Sequence, residues 1–323
     1  MLIAYELVNE DPVPMTVDLA AGIPPEAIWI DLMGASREEI AAAERLLSAD
    51  IPEPEEAREI EYSSRFYVDN KALVMTPSVL TGVHRNQPVL SPVTFILSNK
   101  RIATVRYEES KAFGQFMNRA VKPDYPCSDA LSVLFGIWEA IIDRTADVIE
   151  KASGAIDSIN GRIFDRQTRG RRGALEDLMT ELGYQADLTA KARESLSSME
   201  RMIQFMGAAK PEVNAADKKN GRVKLMTRDI SSLSDQLDFL ANKLTFLLEA
   251  TVGLISIQQN EVIRVLTVAA MIFFPPTLVG TIYGMNFDFM PELHWTIGYP
   301  LALGAMALSG LLPYLFFKKR GWL

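Results

Sequence analysis

Histidine and cysteine are almost missing from this chain of 323 residues: His84, His294 and Cys127 are all it has. A single cysteine excludes an internal disulfide and a cysteine-rich zinc site, so Cys127 is expected to be a buried, inert thiol. Two histidines with no spaced partner exclude a histidine-based metal or nucleophile motif, and His84 is expected on a surface loop. There is no GxxxxGK[ST] phosphate loop and no GxGxxG turn, which argues against an ATP-driven pump or a hydrolase; no enzyme is expected. Positive charge is also scarce. A formal charge of −8 and a pI near 5.1 argue against a nucleic-acid protein, which usually shows a basic face, and make cations the more natural partners. The opening "MLIAYELVNEDPVP" lacks the basic start and unbroken apolar run of a signal peptide, so the N-terminal part is expected in the cytosol.

Charge is absent altogether from two C-terminal runs. Residues 265–283, "VLTVAAMIFFPPTLVGTIY", and 297–317, "IGYPLALGAMALSGLLPYLFF", contain no Asp, Glu, Lys or Arg. At about 1.5 Å per residue each spans a hydrocarbon core roughly 30 Å thick. A buried soluble helix is the competing reading of either run alone. Pro275 with Pro276, and Pro300 with Pro313, suit a soluble helix interior poorly but are tolerated in membranes, where neighbours satisfy the freed carbonyls. Arg264 precedes the first run and Lys318, Lys319 and Arg320 follow the second, whereas the loop between carries only Asp288 and Glu292. The positive-inside rule therefore predicts cytoplasmic termini and an outward loop, and the cell inner (plasma) membrane is the expected location.

Upstream, residues 27–32 ("AIWIDL") read as a strand, Ser36 to Glu39 as a capping box opening a helix, and residues 93–107 as a hairpin turning at 98–100. Helical periodicity dominates from Asp129, with a break near Asn220 and Gly221. Beyond it, Met226, Ile230, Leu233, Leu237, Leu240, Leu244, Leu247 and Leu254, with Thr251 between, follow a spacing of three and four. Such a seam packs against helices of the same chain or against other copies. No breaker separates it from the first span, so one continuous helix is predicted. The acidic run at 52–61 reads as a solvated helix face. The expected fold is an α+β cytosolic domain at 1–125, a helical and stalk region at 126–259, and a transmembrane domain at 260–323 with spans at about 262–283 and 297–317.

Two spans cannot enclose a water-filled path, so transport requires several copies in a ring. Steps of three and four from Asn260 give Ile263, Thr267, Ala270, Phe274, Thr277, Thr281 and Gly284. Helix packing alone also produces such stripes. Asn260 and Asn286 stand at the two ends, where amide oxygens would hydrogen-bond the hydration shell of Mg2+ without stripping it. Asp288 and Glu292 are expected to concentrate cations outside the mouth. A divalent ion moving inward gains roughly 4.6 kcal/mol per 100 mV, so no catalytic engine is needed.

The chain resembles the CorA magnesium transporter family. The resemblance is carried by "YGMNF" with Gly284, Met285 and Asn286, by "MPELHW", "GYP" and "FFKKRGWL" after it, and by "QNEVIRVLT", "FFPPTLV" and "EIEYSSRFYVDNKAL" before it. Membership implies a funnel-shaped homopentamer in the lipid bilayer, with the long stalk helix lining the pore. It implies that Gly284, Met285 and Asn286 select hydrated Mg2+, with Co2+ and Ni2+ as secondary substrates. It also implies a pore asparagine at Asn260, a hydrophobic gate at Ile263 and Leu266, pore positions at Phe274 and Thr277, and regulatory Mg2+ held in part by Glu249. His294 departs from the lysine or arginine common at its place in the family. Competing readings are a zinc or other divalent-metal transporter of the same architecture, and a non-conducting membrane-anchored sensor.

Overall fold

Strands whose central members are buried on both faces build the N-terminal sheet. The computed structural model describes the chain except residues 60, 99, 123, 124, 126, 166–172, 212–220, 287–289, 322 and 323, and the side chains of 62, 292 and 293. Among the described residues the strands are β1 Leu2–Val8, β2 Asp11–Met15, β3 Trp29–Met33, β4 Phe66–Asp69, β5 Ala72–Met75, β6 Ser78–Thr81, β7 Val89–Ser98 and β8 Arg101–Arg106. They form one sheet in the order β2-β1-β3-β8-β7-β5-β4, with β6 added on β7. Only β3 and β8 run parallel, with Ile30 opposite Ala103. The predicted hairpin is β7 and β8, closing with Ser98 opposite Arg101; Asn99 in its turn lies outside the described residues.

Because side chains alternate along a strand, the two faces of the sheet carry different cores. Helix α1, Arg37–Leu47, covers Ile30, Leu32, Ile96 and Val105 with Ala43 and Leu47. Its start is the predicted capping box: the Glu39 N–H donates to Ser36 Oγ at 3.3 Å, and the Ser36 N–H donates to Glu39 Oε2 at 2.8 Å. On the other face Trp29 meets Phe116 of α3 (Lys111–Ala120), and Phe95 meets Trp138 of α4 (Ala130–Phe164), both edge-on. Also on that face, Asp31 accepts a bidentate pair from Arg106 and a hydrogen bond from Thr104 Oγ1, so the buried carboxylate is matched. A four-residue α2 spans Tyr62–Arg65, and α5 spans Ala174–Ala209. Ser195 and Ser198 of α5 accept the Leu80 and Ser78 backbone N–H groups, capping the free edge of β6.

Among its described residues the acidic run at 52–61 forms a short turn of helix at Glu56–Arg58. Cys127 is buried, and desolvation pushes its thiol up to about 11, as expected of an inert cysteine. His84 is exposed, as predicted for a surface residue.

Two compact units emerge, Met1–Leu247 and Leu248–Leu323. Helix α6, Arg222–Tyr283, begins in the first and ends in the second, and α7 is Gly298–Lys319. Gly221 before α6 has φ +67°, a left-handed conformation that glycine adopts freely; the rest of the predicted break, including Asn220, lies outside the described residues. In the first unit the seam packs within its own chain: Met226, Ile230, Leu237, Leu240, Leu244 and Leu247 are all buried. Arg222 grips Glu139 of α4 at 2.7 and 2.8 Å, Lys243 pairs with Asp157 of α4, and Asp238 pairs with Arg193 of α5. Leu233 and Leu254 are half-buried.

Candidate ion-conduction site

In the second unit, the end of α6 packs on α7 through small residues. A side-chain carbon built on Gly310 would stand 3.2 Å from Pro276 Cγ and 3.3 Å from the Ile272 carbonyl oxygen; one on Gly280 would stand 3.4 Å from Met306 Cε. Pro276 has no N–H to offer the Ile272 carbonyl four residues earlier, so the contact at Gly310 covers an oxygen that the proline left open. Pro275 and Pro276 do lie inside the helix. Pro300 differs from expectation: it falls in the first turn of α7, where no helical N–H is required, leaving Pro313 as the interior proline.

At about 100° per residue, Ile272, Pro276 and Gly280 occupy one side of α6. Asn260, Ile263, Thr267, Phe274 and Thr277 occupy the opposite side, with Leu266 on its flank. All six are exposed in the single chain, Leu266 at 70% and Phe274 at 69%. Three threonines turn their hydroxyl protons inward. Thr267 Oγ1 donates to the Ile263 carbonyl, Thr277 Oγ1 to Phe273 and Thr281 Oγ1 to Thr277, each at 2.8 Å. With the proton committed to the backbone, each oxygen keeps its lone pairs as acceptors on the helix surface.

The helix ends at Tyr283. Gly284 N–H is shared between the Gly280 and Thr281 carbonyls at 3.0 and 3.2 Å, and Met285 N–H donates to Ile282 at 3.3 Å. This tightened last turn satisfies the Gly280, Thr281 and Ile282 carbonyls and leaves Asn286 exposed beyond it. Gly284, Met285 and Asn286 thus follow directly on the exposed stripe. Asp288 lies outside the described residues. Glu292 falls in a short helix, Pro291–His294, its side chain outside what is described. Glu249 is exposed on α6, and among the described residues no three His, Cys, Asp or Glu side chains converge to hold a metal ion. The close approaches at Gly280, to Met306, and at Gly310, to Pro276, escaped sequence reasoning, although the Gly280–Gly284 spacing of four is a signal for close helix approach.

Both helices are long and apolar enough to cross a membrane, and only 6% of each apolar window is buried inside the chain. Near the end of α7, Lys318 lies over the Tyr314 ring and Arg320 over Phe316. Together with the α+β unit these features define a two-span membrane protein. The chain matches the sequence model of the family described as CorA-like Mg2+ transporter protein over residues 25–319. It is 35% identical over 297 residues to the magnesium transport protein CorA of Pasteurella multocida (strain Pm70), covering 92% of each. It is 32% identical over 324 residues to that of Escherichia coli (strain K12), covering 100% of each. Its fold is similar to the solved CorA magnesium transporter from Methanocaldococcus jannaschii, at TM-score 0.73 and 15% identity over 100% of this chain and 99% of that one. It is also similar to the ZntB cytoplasmic domain from Vibrio parahaemolyticus RIMD 2210633, at TM-score 0.57 and 9% identity over 78% of this chain and 96% of that one. The chain belongs to the CorA-like Mg2+ transporter protein family, a family of transporters rather than enzymes, and is a membrane protein.

Proposed function

We propose that this chain transports Mg2+ passively into the cell as a homopentamer, with α6 of each copy lining a central path. The observation that carries the reading is the exposed stripe on α6, which faces away from α7 and leads directly into Gly-Met-Asn. Copies arranged with that face inward present Asn260, the acceptor oxygens of Thr267 and Thr277, and Asn286 to an ion that keeps its water. Neutral oxygens suit such an ion because Mg2+ dehydrates reluctantly. Ile263 and Leu266, bulky and apolar near the cytosolic end, form the gate by excluding water when the copies close. Glu249, exposed on α6, holds regulatory Mg2+ with a carboxylate of a neighbouring copy. Asp288 and Glu292 raise the cation concentration at the outer mouth. The basic ends of the spans keep both termini in the cytoplasm of a cell whose inner membrane holds the protein.

Purified protein in liposomes, under an inward potential and with Mg2+, Co2+, Ni2+ or Zn2+ outside, tests this reading. Saturable Mg2+ influx, with slower Co2+ and Ni2+, is expected. Zn2+ flux alone would reassign the substrate, and no flux of any of the four would favour a sensor.

A further inference from the structure

The first unit also holds a cavity of about 540 Å3 where α5 meets β6, β7 and the turn at Glu56–Arg58. Helix α5 contributes Arg193, Glu194 and Arg201 to the lining; Glu194 and Arg201, seven residues apart, lie on the same side of the helix. The turn adds Arg58 and Glu59, and α2 adds Arg65. Four guanidinium groups therefore face two carboxylates, in a chain whose formal charge is −8. Arg193 is also paired with Asp238.

Arg65 is held in place: its Nε donates to the Thr76 carbonyl and its Nη2 to Ser78 Oγ, both at 2.9 Å. Burial lowers its pKa; the charge of Glu194 opposes that effect and the like charge of Arg201 adds to it. A fixed guanidinium beside another positive group is a prepared anion site: with Nε and one Nη2 proton committed to Thr76 and Ser78, its remaining N–H groups are held in place and lose little freedom on meeting phosphate oxygens. The volume falls within the range of small-molecule sites, well beyond what one simple anion fills.

We propose that this cavity binds a small polyphosphate anion through Arg58, Arg65 and Arg201, either as an inorganic chain or as the phosphate tail of a nucleotide. The site is independent of ion conduction, so its failure would leave the transport reading untouched. Calorimetric titration of the full-length protein in detergent, free of Mg2+ and at near-physiological salt, tests it with inorganic triphosphate, ATP, citrate and sulfate. Triphosphate is expected to bind saturably, and the doubly substituted Arg58→Gln, Arg201→Gln protein to bind it at least about tenfold more weakly. Both of those side chains are exposed, so the fold is expected to survive. Ser197→Asp, which adds a carboxylate to the lining, is expected to weaken binding as well, while Arg37→Gln on α1 leaves it unchanged. Equal affinities for triphosphate and ATP assign recognition to the phosphate chain; tighter ATP assigns it to a nucleotide. Absence of saturable binding, equal binding of citrate or sulfate, or full affinity in the Arg58 and Arg201 double variant would overturn the site.

Discussion

Large apolar side chains are disposed in opposite ways in the two units. Trp138 in the first is fully buried, between Phe95 and Phe135, whereas Phe273 in the second is 71% exposed. The contrast holds between the sheet core and the two spans: Ile30, Leu32, Ile96 and Ile102 in the sheet are all at 0%, and Leu266, Phe274 and Tyr299 are each above 60%. Both units use the same residue types, so the difference lies in what completes them. The first unit supplies its own covering helices. The second requires lipid on one side and, in the proposed assembly, further copies on another.

Substitution breaks or sharpens this contrast. Trp138→Ala is expected to cost about 3–5 kcal/mol of unfolding stability, through lost burial and a cavity. Phe273→Ala, measured by the same thermal melting in detergent, is expected to cost less than about 1 kcal/mol, in the range of substitutions away from packed features; comparable losses would break the contrast. Gly310→Leu drives a side chain into Pro276 and the Ile272 carbonyl, with an expected cost of about 1–3 kcal/mol, as for overpacking. Read by protease sensitivity between α6 and α7, it tests whether the two helices rely on each other. Ser36→Ala removes the cap of α1 and should lower stability by about 0.5–2 kcal/mol.

The smallest effect concerns pH. Burial alone would raise the pKa of Glu39, but hydrogen bonds from the Ser36 backbone, the terminal ammonium and the Leu2 backbone outweigh it and hold it below 4.5. A carboxylate depressed by folding contributes stability that is complete above its unfolded pKa and is lost as pH falls through the folded value. Melting temperature is therefore expected to drop more steeply below about pH 4.5 in the wild type than in Glu39→Gln. Parallel curves would remove Glu39 from the account.

Much of the architecture was legible because local rules and tertiary packing agree. The Ser36 cap, the strand at "AIWIDL", the β7–β8 hairpin and the helix beginning after Asp129 all follow from spacing and turn chemistry visible in one stretch of chain. The seam from Met226 to Leu247 was readable as a buried face but not as to its partner, because a heptad does not say whose helix fills the groove. Pro300 was misplaced for a related reason: composition marks a span, yet only the helix start at Gly298 shows that this proline sits in the first turn. Gly280 and Gly310 were missed because close approach joins positions far apart in sequence. The arginine cavity gathers residues from 58 to 201, and no single window displays it.

The most direct test of the proposed pathway is Mg2+ influx into liposomes under an inward potential, comparing wild type with Asn286→Ala at matched incorporation and matched oligomer size. The account predicts that removing this amide at the end of the exposed stripe abolishes influx or lowers it at least about tenfold, the loss of one interaction of about 1.4 kcal/mol or more. Near-normal influx in the assembled variant would contradict it.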